Sequence, residues 1–276
     1  MKVLVTGGGG YIGSTLSEML LDQGFNVTVL DRFFFGEEAL KGIADRMRIV
    51  RGDVRWVDSS IMNGVDAVID MAALSNDPAS ELDPKKTMEI NYNGRVRIAK
   101  MAKRHGVEKY VLASSCSVYG VAKKGVDEKA PTAPLTTYAK ANALWEKATL
   151  PLSDRKFSVT AMRQATVFGP SRRMRFDTAL NSMTLRLFKN EKMRILRNGK
   201  QFITIVHVKD VSRAFIKVLE AGNELVSKQI FNLGSNDQNI RIMDLAKLVA
   251  RSVGRPFSYE WYGLPDYRNC SVNFSQ

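Results

Sequence analysis

Cysteine is nearly missing from this chain of 276 residues, which carries only Cys116 and Cys270. The two stand far apart and in no metal-ligand spacing. That argues against a zinc site or a disulfide framework and fits a reduced, cytoplasmic protein. Long apolar runs are missing too. No stretch approaches the roughly 18 uncharged apolar residues of a membrane span, so no membrane segment is expected. The first residues already read as a β-strand, which leaves no room for a secretory leader. Neither a tandem repeat nor a low-complexity tract is visible. Acidic residues are in deficit, 28 against 41 lysines and arginines, for a formal charge of +13. A solvated basic surface is the plainest account of that excess, diphosphate-bearing ligands are the next, and nucleic acid is a third. Arg97, Lys100 and Arg104 fall on one helix face, and Lys189, Lys192, Arg194, Arg197 and Lys200 form a second cluster. Neither cluster interleaves with stacking aromatics and no nucleic-acid motif accompanies them, so nucleic acid is disfavoured though not excluded.

What is present in force is glycine, at the place where the chain is organised. Lys2-Val3-Leu4-Val5-Thr6 reads as a buried strand, glycines come next at positions 7, 10 and 13, and an apolar-periodic stretch from Ile12 to Leu21 reads as a helix. Each glycine has a physical task. Gly7 permits the sharp turn, Gly10 lets the backbone approach a pyrophosphate, and Gly13 lets helix and strand pack closely. Phosphates would sit on the unpaired N–H groups of the helix N-terminus, so Gly7, Gly10, Tyr11, Ile12 and Gly13 are the candidate cradle. A second strand, Asn26 to Leu30, ends at Asp31, whose carboxylate can accept both ribose hydroxyls of an adenine dinucleotide and would repel a 2′-phosphate. Neighbouring Arg32 would partly offset that repulsion. NAD is therefore the expected cofactor.

Further along, Met47 to Val50 and Ala67 to Asp70 read as strands. Asp53 and Val54 come after the first, where the carboxylate can reach an adenine amino group. Ala72 and Ala73 come after the second, small enough for the backbone to approach the dinucleotide. Three consecutive aromatics, Phe33 to Phe35, cannot all face one core, so at least one is expected against a ligand or partner. A long helix is predicted over roughly 84–105, then a strand at Tyr110 to Ala113, a helix capped by Thr136 or Thr137, and a strand at Ser158 to Met162. This succession predicts an α/β fold, a Rossmann-like doubly wound parallel sheet with a smaller C-terminal substrate lobe. Residues 1–168 are expected to form the dinucleotide domain, with later segments returning to it, and 169–276 mainly the substrate lobe.

Tyr138 is the natural proton-transfer candidate. It begins a helix and comes after the serine-rich end of a parallel strand, where ligands of such sheets bind. Ser115 could hold a substrate hydroxyl or carbonyl while Tyr138 takes or gives the proton, as hydride passes between carbon and nicotinamide. A tyrosine packed between lobes and a serine capping backbone is the bland alternative. Cys116 reads better as small buried filler than as a nucleophile, because no base adjoins it.

At this point the chain resembles the extended short-chain dehydrogenase/reductases, and among them the NAD-dependent nucleotide-sugar epimerase/dehydratase family. Gly7-Gly8-Gly9-Gly10-Tyr11-Ile12-Gly13, Ala72-Ala73, Ser114 to Gly120, Tyr138-Ala139-Lys140, Arg163, Val167 to Pro170, Val206 to Asp210 and Phe231 to Gly234 match in order. The resemblance implies Ser115 and Tyr138 as catalytic residues and residues 166 to 169, Thr166 among them, on the nicotinamide side. It also implies Asn181 and Arg268 near the substrate's diphosphate, Cys116 beside the substrate, a nucleotide-activated sugar as substrate, and a homodimer through helices near 85–105 and 138–150.

Three departures stand against the pattern. The family's Tyr-x-x-x-Lys ends here in Asn142. Lys140, two positions after Tyr138, points about 200° around the helix and cannot substitute, whereas position 142 shares the tyrosine's face. Asn142 can hydrogen-bond a nicotinamide ribose but supplies no charge, so retained cofactor binding with slower or altered proton transfer is expected. Ile203 stands where most relatives carry a phosphate-clamping arginine, with Arg172, Arg173, Arg175 or Lys200 as possible substitutes. Relatives also continue beyond the segment matching 266–275, so either a tail is missing here or the substrate lobe is short at its C-terminal end. The expected activity is 4-epimerisation through a 4-keto sugar. A 4-ketoreductase is an alternative, as is a 4,6-dehydratase, although no Asp-Glu pair follows Ser115. A catalytically degenerate NAD-binding protein with a binding or scaffolding role is the rival from another class.

Overall fold

In the computed structural model, which describes residues 1–121, 125–196 and 198–263, the first apolar run forms strand β1 (Lys2–Thr6) inside a seven-stranded parallel sheet. Helix α1 (Tyr11–Asp22) carries the chain to β2 (Asn26–Asp31), and β3 (Arg48–Arg51) closes that edge. On the other side of β1 come β4 (Ala67–Asp70), β5 (Lys109–Ser115) and β6 (Ser158–Gln164). The intervening helices are α2 (Asp77–Leu82), α3 (Pro84–Met88), α4 (Arg95–Arg104) and α5 (Thr137–Thr149).

After β6 the chain leaves this sheet. β7 (Thr166–Phe168), α6 (Ala179–Phe188), β8 (Met193–Leu196) and β9 (Phe202–His207) precede α7 (Val208–Glu220) and the short α8 (Asn223–Val226). β10 (Ile230–Leu233) then rejoins the main sheet beside β6, giving the order β10-β6-β5-β4-β1-β2-β3. The last elements are β11 (Asn239–Arg241), α9 (Ile242–Val253) and β12 (Tyr259–Tyr262).

The central strands are apolar on both faces because both are covered, as a parallel sheet requires. Val3, Val5, Val27 and Val29 join Leu16 and Leu20 of α1 and Phe215 and Leu219 of α7 in one core. Leu4, Leu30 and Val68 face the other way, onto Ile98 and Met101 of α4 and Trp145 of α5. A third core lies away from the sheet, where α6, β8, β9 and α9 bury Met183, Leu187, Met193, Ile195, Leu245 and Val249.

Two local differences from the sequence pattern have physical causes. The single helix expected over 84–105 is broken, with a π-helical turn at Glu89–Gly94 between α3 and α4. Asn91 in that turn is fully buried and uses both ends of its amide on the backbone of Leu74, at 2.8 and 2.9 Å. A buried amide without those partners would be costly, so the helix yields its register to satisfy it. Strands β8 and β12 pair in parallel across about 65 intervening positions, a non-local contact that local periodicity does not encode. The basic residues Arg97, Lys100 and Arg104 do share an outer face, lining a groove with Tyr92 and Val96. Among the described residues no helix is long and apolar enough to cross a membrane. Arg197, Arg268 and Cys270 lie outside the described residues.

Candidate functional site

The turn from β1 into α1 is a cradle that only glycine can build. Gly7 has φ +71, and a Cβ on it would meet the backbone of Ala72 at 2.9 Å. At Gly13 a Cβ would fall 2.2 Å from the Gly7 carbonyl oxygen. Gly10 occupies the N-cap of α1, no side chain caps that end, and no acidic residue stands in the first turn. Bare N–H groups and the positive end of the helix dipole thus face outward, an arrangement that suits a diphosphate. The opposite wall is equally close-fitting. The N–H groups of Met71 and Ala72 both donate to Thr6 Oγ1 at 3.1 Å, which draws the segment after β4 against the glycine turn and leaves Ala72 and Ala73 at its rim. The residues present fit a dinucleotide.

Asp31, at the end of β2, accepts the Gly9 N–H at 3.0 Å on one oxygen and the Phe33 N–H at 2.8 Å on the other. One carboxylate therefore fixes both the glycine turn and the next loop while standing at the cradle's edge. Arg32 is engaged elsewhere, its Nε 3.4 Å from Asp53. Asp53 is also gripped by Arg55 through Nε at 3.0 Å and Nη2 at 2.8 Å. Burial works against that carboxylate, but Arg55 and Arg32 hold it below the usual range. Val54 beside it is buried. The aromatic run divides three ways: Phe33 packs inward against Gly9, Phe34 is exposed, and the ring of exposed Phe35 lies 3.8 Å beneath the Arg173 guanidinium.

Across the sheet, Ser115 ends β5 and its Oγ accepts the Ser117 N–H at 3.2 Å. Cys116 is buried and its thiol donates to the Arg163 carbonyl at 3.2 Å, as a structural filler would. Tyr138 is half-buried in the first turn of α5. That turn is held from two sides, because Thr136 Oγ1 accepts the Ala139 N–H and donates to Asp77, while Glu81 accepts the Thr137 N–H. Behind it Arg163 and Glu146, both 4% exposed, form a buried ion pair at 2.7 Å, joined by Ser114 and Tyr119. Burial opposes charge on Arg163, but Glu146 keeps its pKa above the usual value. Tyr119, donating to Asn232, is raised to about 12, chiefly by burial.

The helical reading of position 142 holds in one respect: Lys140 is exposed and Asn142 is on the inner side. Asn142 is nevertheless fully buried, so its amide faces protein and not the cleft. Its Nδ2 donates to the Tyr138 carbonyl at 3.1 Å, and its Oδ1 accepts from Arg95 Nη1 at 3.3 Å. Direct hydrogen bonding from Asn142 to a ribose does not fit this geometry. Arg95 was not anticipated, although a signal existed: with Ile98, Ala99 and Ala102 it completes the buried stripe of α4 at helical spacing.

Two other expectations meet each other. Asn181 Nδ2 donates to the Tyr11 hydroxyl at 3.2 Å and to the Arg175 carbonyl, its Oδ1 accepts the Gly169 N–H, and Tyr11 donates to the Gly169 carbonyl at 2.7 Å. Asn181, expected at a substrate diphosphate, and Tyr11, expected at the cofactor, thus join α6 to α1; burial pushes Tyr11 above its ordinary pKa. Thr166 lies half-buried on β7. Ile203 packs in the third core, and of the arginines weighed as replacements Arg172 pairs with Glu18 and Arg175 with Asp177. Arg175 also donates to Ser75, and Asn76 donates to Asp177, so a bridge joins the segment after β4 to that before α6.

Comparison with known proteins agrees with this architecture. The model of the NAD dependent epimerase/dehydratase family matches residues 3–234. A UDP-glucose 4-epimerase of Lactobacillus helveticus is 29% identical over 272 residues, covering 90% of this chain and 82% of its own. A putative UDP-glucose 4-epimerase of Methanocaldococcus jannaschii is 28% identical over 260 residues, covering 91% and 82%. Among solved structures, MoeE5 in complex with UDP-glucuronic acid and NAD superposes with a TM-score of 0.87 at 27% identity, over 99% of this chain and 90% of that one.

Proposed function

Because the chain belongs to the NAD dependent epimerase/dehydratase family, we propose that it is a 4-epimerase of a nucleotide-activated sugar, working through a 4-keto sugar. The observation that carries this reading is the packing of α5 against β5 and the turn that follows it. There a half-buried tyrosine opens α5, with Ser115 ending the strand before it. NAD, when bound, supplies hydride acceptance and return at the sugar carbon. The glycine cradle and α1 N-terminus hold its diphosphate, and Asp31 takes the adenosine ribose. Ser115 orients the oxygen on C4. Tyr138 accepts that oxygen's proton and later gives one back, the alternation that general acid–base catalysis requires of one group.

Cys116 and Ser117, directly after Ser115, contain no carboxylate, which favours epimerisation over the proton abstraction and water loss of a 4,6-dehydratase. The relatives named above make UDP-glucose and UDP-galactose the first substrates to try, and UDP-glucuronic acid the next. The test is incubation with each in the presence of NAD and product identification by NMR. Interconversion at C4 that is lost by at least a thousandfold in Tyr138→Phe, with NAD affinity kept within threefold, is the expected result. A dehydrated or reduced product would replace the assignment, and full turnover in Tyr138→Phe would remove Tyr138 from it.

A further inference from the structure

The residue paired with Asn142 is an arginine sealed inside the protein. Arg95 is among the largest fully buried side chains. Its Nη2 donates to the carbonyls of Asp70 at 3.0 Å and Ala113 at 3.1 Å, its Nη1 donates to Asn142, and its guanidinium lies against the Trp145 ring. Nε has no hydrogen-bond partner and stands 3.6 Å from an Asp70 oxygen. The main-chain carbonyls it binds end β4 and lie near the end of β5, at the carboxyl side of the sheet where Ser115 and Tyr138 also lie.

The route by which a charged side chain comes to this place is visible in the backbone. Arg95 is the first residue after the π-helical turn. Such a turn holds one residue more than an α-turn, so the helix beyond it is rotated by about 100° relative to an unbroken one. That register puts Arg95 in line with buried Ile98 and Ala102, while Lys100 and Arg104 remain outside. π turns recur at functional sites.

We propose that Arg95 is the cation that replaces the lysine absent at position 142: from the neighbouring helix, and through Asn142, it positions Tyr138 and favours negative charge on the tyrosine oxygen as its proton leaves. This rests on the reading of Tyr138 as the acid–base group. Because Arg95 is closed off from the cleft it is a positioning residue, and the missing charge has moved from α5 to α4.

The charged and titratable groups around it are Asp70 from β4, Tyr110 from β5 and Tyr138 from α5, with Arg175, itself paired to Asp177, facing Tyr138 from the second lobe. Burial pushes the Arg95 guanidinium below its usual range, and the Asp70 carboxylate 3.6 Å away opposes that loss. Asp70 is itself raised by burial and shares its oxygens with Thr6 and Tyr110. Its carboxylate approaches Arg95 at the Nε edge, whereas the Nη edge is aimed at neutral carbonyls, that of Asp70 among them, and at Asn142.

The experiment uses the full chain with tyrosine labelled by carbon-13 at the ring carbon bearing oxygen, the Tyr138 resonance being assigned from its loss in Tyr138→Phe. Wild type, Arg95→Lys, Arg95→Met, Asn142→Ala and Arg95→Met with Asn142→Lys are titrated without substrate, and kcat and KM for UDP-galactose are measured across pH. Expected in Arg95→Met is a Tyr138 titration about one pH unit higher, a parallel shift of the acidic limb of kcat, about tenfold lower kcat on that limb, and KM within threefold. Arg95→Lys should keep most of the wild-type profile, and the double variant should restore it. Asn142→Ala, which cuts the link from Arg95 to the Tyr138 carbonyl, should move the acidic limb in the same direction as Arg95→Met.

A folded Arg95→Met with the wild-type titration overturns the proposal. Where that variant does not fold, an Asn142→Ala limb that stays at its wild-type position overturns it, and a limb moved to higher pH with a working Arg95→Lys supports it. Wild-type turnover in Tyr138→Phe, by contrast, would strike the underlying reading and not the Arg95 charge, whose titration effect is read without substrate.

Discussion

Removing the charge of Asp31 tests the cofactor site at its most discriminating point. The carboxylate accepts the N–H groups of Gly9 at 3.0 Å and Phe33 at 2.8 Å, so it is fixed in place before any ligand arrives. A 2′-phosphate on the ribose that it serves would lie about 4 Å away. Two unit charges at that distance repel by about 1 kcal/mol in water and about 4 kcal/mol at the effective dielectric of a protein surface. A half-buried rim position falls between these, so about 2 kcal/mol of the preference for NAD over NADP resides in this charge, or about 30-fold. Arg32 does little to offset it because its guanidinium is drawn to Asp53, itself held by Arg55. In Asp31→Asn one amide oxygen can still accept one of the two backbone N–H groups, which keeps the loop largely in place. The ratio of NADP to NAD dissociation constants, measured by calorimetry at one fixed ionic strength, should fall by about 10- to 100-fold. A ratio unchanged within threefold, in a variant that melts within a few degrees of wild type, would refute the electrostatic account of Asp31.

Two predictions concern stability. Glu146→Gln leaves buried Arg163 without its countercharge, which costs about 3–5 kcal/mol, or about 6–15 °C in melting temperature for a chain of this size. Glu146→Leu with Arg163→Met should recover most of that loss, and a Gln variant melting within 2 °C of wild type would contradict the reasoning. For Asp177, burial favours the protonated acid, but Arg175 and Asn76 win and hold its pKa at about 2, against an ordinary 3.8. Its folded pKa is depressed, so its contribution is complete above pH ~4 and is lost as pH falls towards 2. With 43% of the side chain exposed, screening limits that contribution to about 1 kcal/mol. The stability gap between wild type and Asp177→Asn should therefore close on acidification from pH ~5 to ~2, and a gap independent of pH would show that the bridge carries no charge-dependent stability.

Local rules in the sequence determined a good deal here. The glycine spacing, the β-branched strand before it and the carboxylate ending the second strand were legible because a tight turn, a buried parallel strand and a helix N-terminus each depend on residues close together in the chain. The same is true of Tyr138 opening a capped helix, and of Lys140 pointing outward while position 142 points in. What tertiary structure alone decided is who meets whom across long separations. Asn181 and Tyr11 were each assigned a ligand, and the fold bonds them to one another across 170 positions. Asp53 is shared between Arg32 and Arg55, and β8 finds β12. Asn142 looked like a lost charge because position along a helix says which face a residue takes, not what the neighbouring helix brings to it. Buried Asn91, bonded through both ends of its amide to Leu74, lies in the π turn after which the helix takes the register that buries Arg95.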